Sequence, residues 1–193
     1  MNADGGSRAV DGARPPRRWG ALTIALHWLS AALVIVLLAL GWFMVHGDIA
    51  ASTKFDLYQL HKSLGFLSLA LLLLRFGARL TERSPPTPPQ MREWERRLAG
   101  LAHGALYALL LAAGLSGWLR VSSAIIPIPS RFFDLFVIPS LVGPDAALSD
   151  DMAGMHYVIS RLLIGLLVVH VAAALKHHLV DRDDVLVRML PMP

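Results

Sequence analysis

Residues 156–170 read HYVISRLLIGLLVVH, a largely apolar stretch with a histidine at each end. On an α-helix, fourteen residues rise about 21 Å and return to within about 40° of the same face. His156 and His170 would therefore point to one side of one helix, at two depths. Ligating side chains are costly at membrane depth and usually mark functional sites there. The spacing therefore predicts two stacked metal or cofactor sites.

The composition indicates a membrane protein. Hydrophobic residues make up 55% of the 193 residues and charged residues only 17%, whereas soluble domains carry about 25% charged residues. Four apolar runs, roughly residues 19–45, 57–80, 98–121 and 155–180, each reach the length of about 20 residues that crosses the hydrocarbon core. The sequence therefore predicts an all-α integral membrane protein, with a four-transmembrane-helix bundle within residues 19–180.

The remaining segments are polar or rich in proline. Residues 1–18 have no apolar period and predict a disordered tail. The pair Arg17-Arg18 before an apolar run is also found in secretion signals, but this run is too long for a signal peptide. Residues 122–154 contain four prolines and three phenylalanines, which predict an interfacial segment over the outer end of the bundle rather than a fifth span. Residues 181–193 form a short charged tail.

The basic residues predict the orientation of the bundle. With four spans, thirteen Lys and Arg residues fall on the side of both termini and five on the other side. Cytoplasmic loops are enriched in Lys and Arg, so both termini are predicted to be cytoplasmic. The same distribution explains the net charge of +4 without nucleic acid as a partner. The five residues on the outer side are Lys54, Lys62, Arg120, Arg131 and Arg161, and six aspartates share that face.

Four histidines fall at two matched depths in the predicted bundle. His27 pairs with His170 near the cytoplasmic side, and His61 pairs with His156 near the outer side. Zinc would need further ligands, usually three or four residues away, and none of the four has one. Two imidazoles facing each other across a bundle suit a six-coordinate haem iron. The alternative is a set of hydrogen-bonded core histidines. Because the chain has no cysteine, thiolate sites and covalently attached haem are excluded.

Three more residues are candidates for cofactor binding. Arg75 and Arg79 follow His61 by fourteen and eighteen residues, so both share its helix face, and we predict that they pair with the carboxylates of a cytoplasmic haem. Arginines that extend to the lipid headgroups are the alternative. His177 lies one heptad after His170, where it could give a bound quinone a hydrogen bond and a proton. A headgroup contact is the alternative there. His46 and His103 are predicted to lie at helix ends, without a partner at their depth.

These residues lie in segments that resemble the bacterial cytochrome b561 family, and its superoxide oxidase branch most. The resemblance covers about residues 17–191, with a loose match over 122–154. Its segments are Leu26-His27-Trp28, LHKSLG at 60–65, PPTPP at 85–89, LAGLAH at 98–103, HVAAALKHH at 170–178 and VLVRMLP at 185–191.

The resemblance implies a di-haem b cytochrome of the bacterial inner membrane. His27 and His170 would ligate the cytoplasmic haem, and His61 and His156 the periplasmic haem. It implies an oxidoreductase that passes electrons from periplasmic superoxide to membrane ubiquinone, with His177 near the quinone. The alternative is a cytochrome b anchor that links an extrinsic dehydrogenase or hydrogenase subunit to the quinone pool. A haem-free channel or metal transporter is a third possibility.

Overall fold

The computed structural model describes residues 18–191, so the predicted N-terminal tail lies outside the described residues apart from Arg18. Four long helices dominate it: α1 spans Ala21–His46, α2 Ala51–Thr81, α3 Glu93–Ser122 and α4 Ala146–Lys176. A π-helical turn, His177–Asp181, continues α4, and a 3-10 turn covers Val187–Met189. By length and apolar composition, all four long helices can cross a membrane. The predicted four-helix fold is confirmed.

Three helices begin earlier than the apolar runs predicted. Helix α2 starts at Ala51 rather than near residue 57, α3 at Glu93 rather than 98, and α4 at Ala146 rather than 155. Apolar runs mark only the part of a helix that suits a membrane, whereas polar capping groups extend the helix beyond it. The Asp145 carboxylate accepts from the Leu148 N–H at 3.0 Å, and the Glu95 carboxylate accepts from the Arg92 N–H at 3.0 Å.

The helices are antiparallel neighbours in chain order. Helix α1 packs on α2, α2 on α3, and α3 most extensively on α4. Val34, Leu106 and Leu163 form the buried cluster near mid-depth, with several leucines packed around it. This apolar layer separates the two ends of the bundle.

One end of the bundle carries both ends of the described chain, and we call it the terminal end. The Trp28 indole donates to the Met189 carbonyl at 2.7 Å, and the Arg18 guanidinium donates to the carbonyls of Val187 and Leu190. The segment after α4 therefore folds back over the start of α1. From the distribution of basic residues, this is the end predicted to be cytoplasmic.

The opposite end carries a β-hairpin, and we call it the hairpin end. Strands β1 (Ser130–Phe132) and β2 (Phe136–Ile138) pair antiparallel. Phe133 and Asp134, between them, have positive φ angles of 46° and 58°, and Leu135 N–H donates to the Phe132 carbonyl at 2.9 Å. Residues with φ above zero at both central positions form a type I′ turn. Residues 122–145 contain no span, as predicted, but residues 146–154 of the same predicted segment belong to α4.

The hairpin is fastened to α2 by Ser63, which is 2% exposed. Its hydroxyl donates to the Arg131 carbonyl at 2.8 Å and accepts from the Phe133 N–H at 3.0 Å. On the other side of the segment, the Trp118 indole donates to the Pro139 carbonyl at 3.0 Å. The segment therefore lies against the ends of α2 and α3.

Candidate cofactor sites

The four histidines predicted as ligands lie in two facing pairs. At the terminal end, His27 of α1 and His170 of α4 have ring centres 6.3 Å apart. At the hairpin end, the ring centres of His61 of α2 and His156 of α4 are 6.4 Å apart. Two imidazoles that bind one metal ion from opposite sides, each at about 2.0–2.1 Å, have ring centres about 6.3 Å apart. Both pairs therefore have the spacing of a bis-imidazole metal centre.

His156 is held in the tautomer that a ligand needs. Its Nδ1 lies 3.0 Å from the Ala113 carbonyl and 3.2 Å from the Ser116 hydroxyl, both on α3. A carbonyl oxygen can only accept, so Nδ1 carries the proton and Nε2 keeps a free lone pair. Such a hydrogen bond fixes ring orientation and raises ligand basicity at metal sites.

His61 completes the hairpin-end pair. Its Nδ1 is buried and has no hydrogen-bond partner within residues 18–191, which is costly for a polar atom. Two glycines leave space around the pair. A Cβ at Gly41 would lie 3.6 Å from His61 Cε1, and one at Gly117 would lie 3.4 Å from the His156 ring. An orphaned ring nitrogen beside glycine-lined space fits a planar metal cofactor.

A cavity of about 570 Å³ opens at this pair and reaches the hairpin segment. His61 and His156 line it, together with Ile126 and Ile128. Its charged lining residues are Lys62, Arg120 and Arg161, and the described lining includes no acidic residue. The aspartates that share this face in the sequence do not line the cavity, so the local charge is positive although the face as a whole is mixed.

The terminal-end pair has a cationic neighbour. Arg75 Nη2 lies 3.1 Å from His27 Nδ1, and the guanidinium lies 5.4 Å from the centre of the Tyr107 ring. A guanidinium only donates, so this contact needs a lone pair on Nδ1. If Nε2 bound a metal, the neutral ring would carry its proton on Nδ1, and Arg75 would then need another acceptor. A carboxylate of the cofactor would provide one.

The other two candidates lie further from the histidine pair. The Arg79 guanidinium lies over the Trp19 ring at 4.5 Å, near the start of α1. His177 Nδ1 lies 2.6 Å from the Asp183 carboxylate and 3.3 Å from that of Asp181. The imidazole N–H therefore donates to Asp183, and the second ring nitrogen is left for another partner.

The position expected for His103 was wrong. Its ring centre lies 5.4 Å from that of His170, edge to face, so it does have a partner at its depth. The error follows from the helix start, because a helix that begins at Glu93 carries His103 almost three turns inward. If the residues of α3 are counted from the polar cap at Arg92 rather than from the start of the apolar run, His103 is predicted to lie inside the helix and not at its end. His46 does lie at a helix end, with Nδ1 2.9 Å from the Trp42 carbonyl.

A four-helix multi-pass membrane protein with facing imidazole pairs belongs to the class that holds flat metal cofactors between its helices. The profile of the family described as prokaryotic cytochrome b561 matches residues 18–192. The chain therefore belongs to the prokaryotic cytochrome b561 family, whose members are b-type haem cytochromes that transfer electrons in membranes.

Curated relatives agree with this assignment. The chain is 35% identical over 175 residues to cytochrome b561 homolog 2 of Escherichia coli strain K12, covering 91% of this chain and 92% of that protein. It is 27% identical over 179 residues to the probable superoxide oxidase CybB of Yersinia pestis, covering 91% and 97%. It is 26% identical over 178 residues to cytochrome b561 homolog 1 of E. coli K12, covering 90% and 97%.

Proposed function

We propose that this chain is a di-haem b oxidoreductase of the bacterial inner membrane, which takes electrons from superoxide at the hairpin end and gives them to a membrane ubiquinone at the terminal end. The observation that carries this proposal is the presence of two pairs of facing imidazoles, with 6.3 Å between the ring centres of one pair and 6.4 Å between those of the other. Bound haem would supply one-electron redox chemistry at each pair.

The chain's own residues would hold and separate the two groups. His27 and His170 would ligate one iron, and His61 and His156 the other. With two histidines at each iron, no position is left for oxygen to bind, which favours electron transfer. The apolar cluster of Val34, Leu106 and Leu163 lies between the two sites. Arg75 would pair with a carboxylate of the cofactor at the terminal end. Arg79, which lies two residues before the end of α2 at Thr81, would also pair with a carboxylate of this cofactor.

The cavity at the hairpin end favours an anionic donor. Lys62, Arg120 and Arg161 line it without an acidic residue among the described lining. A cleft lined by one sign of charge concentrates small ions of the opposite sign and raises their rate of encounter. One relative of this chain is named a probable superoxide oxidase. Superoxide is therefore the donor that best fits both the charge and the family.

The reaction balances with two donors for each quinone. Two superoxide anions each lose one electron and leave as O₂, and the two electrons with two protons convert ubiquinone to ubiquinol. The protons come from the cytoplasmic water at the terminal end. His177, whose Nδ1 donates to the Asp183 carboxylate at 2.6 Å, lies at this end and would pass them on through its two ring nitrogens.

The test uses the purified chain alone, reconstituted with haem in lipid vesicles with a short-chain ubiquinone. Enzymatically generated superoxide should produce ubiquinol and O₂ in a ratio of about one to two, set by the one-electron and two-electron couples. A His61→Ala variant, which lacks one ligand, is the matched control and should not turn over. A protein with a full haem spectrum that does not react without an extrinsic subunit would contradict the proposal and favour an anchor role.

A further inference from the structure

The ring of His156 is held by α3, a helix that contributes none of the four proposed iron ligands. Its Nδ1 lies 3.0 Å from the Ala113 carbonyl oxygen and 3.2 Å from the Ser116 hydroxyl oxygen. The Ser116 hydroxyl donates to the same carbonyl at 3.1 Å, so the three polar atoms form a triangle. Ser116 is only 2% exposed, and a buried hydroxyl takes its hydrogen-bond partners from the protein.

The Ala113 carbonyl has more donors around it than lone pairs. In the regular turns of α3 it accepts from the Gly117 N–H, and both the Ser116 hydroxyl and the His156 Nδ1–H lie within hydrogen-bond distance of it. A carbonyl oxygen has two lone pairs, so it cannot fully accept from three donors. The Ser116 oxygen accepts as well as donates, and it therefore gives the imidazole N–H a second acceptor.

Two of the other proposed ligands lack such acceptors. His61 Nδ1 is buried and has no hydrogen-bond partner within residues 18–191. His27 Nδ1 faces the guanidinium of Arg75 at 3.1 Å, and a guanidinium only donates. An acceptor at the outer N–H of a ligating imidazole raises its basicity. Of these three rings, that of His156 should therefore donate most strongly to an iron.

The hydrogen bond also determines how the ring of His156 is turned. The planes of the His61 and His156 rings cross at 78°. An imidazole N–H lies in the plane of its ring, and this ring is attached to α4 through its Cβ. A hydrogen bond from Nδ1 to α3 therefore leaves the ring little freedom to rotate. The orientation and the basicity of axial ligands are two of the means by which a protein tunes a haem.

We propose that Ser116 is a positioning residue for the hairpin-end haem: its oxygen accepts from the Nδ1–H of His156, keeps this ring crossed with that of His61, and lowers the reduction potential of the iron. The inference rests on the haem ligands of the proposed function and adds a residue that acts through one of them. An accepted N–H gives the imidazole partial anionic character, which stabilises ferric over ferrous iron. The hydroxyl itself neither takes up nor releases a proton or an electron.

The test compares Ser116→Ala, which removes the acceptor, with Ser116→Thr, which retains a hydroxyl. Both variants are purified with haem, and the midpoint potential of each haem is measured by spectroelectrochemical titration. In Ser116→Ala, the ratio of reduced to oxidised hairpin-end haem at a fixed ambient potential should rise about threefold, or by about 28 mV at 59 mV for each tenfold change. Ser116→Thr should keep a potential close to that of the wild type, and the terminal-end haem should be unchanged in both variants.

Electron paramagnetic resonance of the ferric protein provides a second measurement. Crossed imidazole planes give a low-spin haem a highly anisotropic signal, whereas parallel planes give a more rhombic one. The hairpin-end haem of the wild type should have the anisotropic signal, since its ligand planes cross at 78°. In Ser116→Ala this signal should shift towards the rhombic form, because the ring has one acceptor fewer. A rhombic hairpin-end signal in the wild type would overturn the inference.

Ser160→Ala is the matched control. The Ser160 hydroxyl also lines the hairpin-end cavity, but it donates to the backbone carbonyl of His156 at 2.7 Å and not to the ring. The inference is overturned if Ser116→Ala leaves the hairpin-end potential and signal unchanged, or if Ser160→Ala alters them as much.

The haem content separates positioning from a purely structural role. Loss of the hairpin-end haem in Ser116→Ala with retention in Ser116→Thr would support the inference, and loss in both variants would overturn it. None of these measurements uses superoxide or quinone, so a wrong donor or acceptor in the proposed function would not affect them. If the wild type held no haem at His61 and His156, the proposed function itself would fail.

Discussion

Arg75 of α2 reaches across the bundle to His27 of α1, with Nη2 3.1 Å from Nδ1. A permanent positive charge therefore lies beside one proposed iron ligand at the terminal end. Tyr107 supports the guanidinium from α3, with its ring centre 5.4 Å away. Residues of three helices therefore hold this positive charge next to the proposed terminal-end haem.

The first prediction concerns the potential of the terminal-end haem. Arg75→Gln removes a positive charge that favours the reduced form, so the midpoint potential should fall. At an effective dielectric constant of about 20, one charge at this range contributes about 1–2 kcal/mol. That corresponds to roughly a tenfold change in the ratio of reduced to oxidised haem, or about 59 mV for one electron.

Spectroelectrochemical titration of the purified protein measures this shift directly. Arg75→Lys keeps the charge and should retain most of the wild-type potential. The midpoint potential of the hairpin-end haem, on the far side of the apolar layer, should not change. A fall in both potentials, or in the hairpin-end potential alone, would contradict the assignment of Arg75 to the terminal end.

The second prediction follows from the pairing of the histidines. His27→Ala and His170→Ala should remove the same haem, and His61→Ala and His156→Ala the other, because each iron needs both of its imidazoles. Haem content measured on the purified variants should fall from about two per chain to about one. The double variant His27→Ala/His170→Ala should lose no more than either single variant. Additive loss in that double variant would disprove the pairing.

Much of this arrangement could be predicted from the sequence because membrane helices keep a regular rise. The spacing of fourteen residues from His156 to His170 determines two depths on one helix face. The order of the apolar runs determines which end of each helix lies on which side of the membrane. The partner of each histidine followed from those two facts alone. The facing pairs in the fold have the same partners.

The sequence could not provide the polar helix caps, the conformation of one turn or the contacts between residues that are distant in the chain. The start of α3 at Glu93 depends on a polar cap, and a count from residue 98 instead puts His103 about one and a half turns too close to the helix start. The hairpin depends on a positive-φ turn at Phe133 and Asp134, neither of which is glycine. The approach of Arg75 to His27 joins residues 48 apart in the chain. Tertiary packing decides such contacts, and no local pattern encodes them.

The third prediction concerns Gly117, which lies against the ligand ring of His156. A Cβ there would lie 3.4 Å from both Cε1 and Nδ1 of the ring, at the close limit of ordinary van der Waals contact. Gly117→Ala should therefore leave haem binding at the hairpin end nearly unchanged, whereas the two additional methyl groups of Gly117→Val should press on the ring and weaken it. Gly165→Ala on α4, where a Cβ meets nothing within 4 Å, is the matched control. Retention of both haem bands in Gly117→Val would show that the ring does not need this space.

The fourth prediction tests the cationic cavity. Replacing Lys62 and Arg120 by Gln removes two of its three charged lining residues. The second-order rate with superoxide should fall by about tenfold at low ionic strength, within the range of electrostatic steering, and its dependence on salt should weaken. Lys54→Gln, at the same end but outside the cavity lining, should change neither. If Lys54→Gln lost as much rate for each removed charge as the Lys62→Gln/Arg120→Gln variant, the net charge of the face rather than the cavity would set the rate.

The fifth prediction concerns the fastening of the hairpin. Ser63→Ala leaves the Arg131 carbonyl and the Phe133 N–H without their shared partner, which should cost about 1–3 kcal/mol of local stability. Trypsin cleavage after Arg131, followed by mass spectrometry in detergent, should become about tenfold faster, since cleavage of a transiently open segment follows the population of its open form. Ser30→Ala is the control, because the Ser30 hydroxyl bonds only within its own helix, to Leu26 at 2.7 Å. If both variants are cleaved at the wild-type rate, Ser63 does not hold the hairpin closed, and the cavity beneath it is bounded by other contacts.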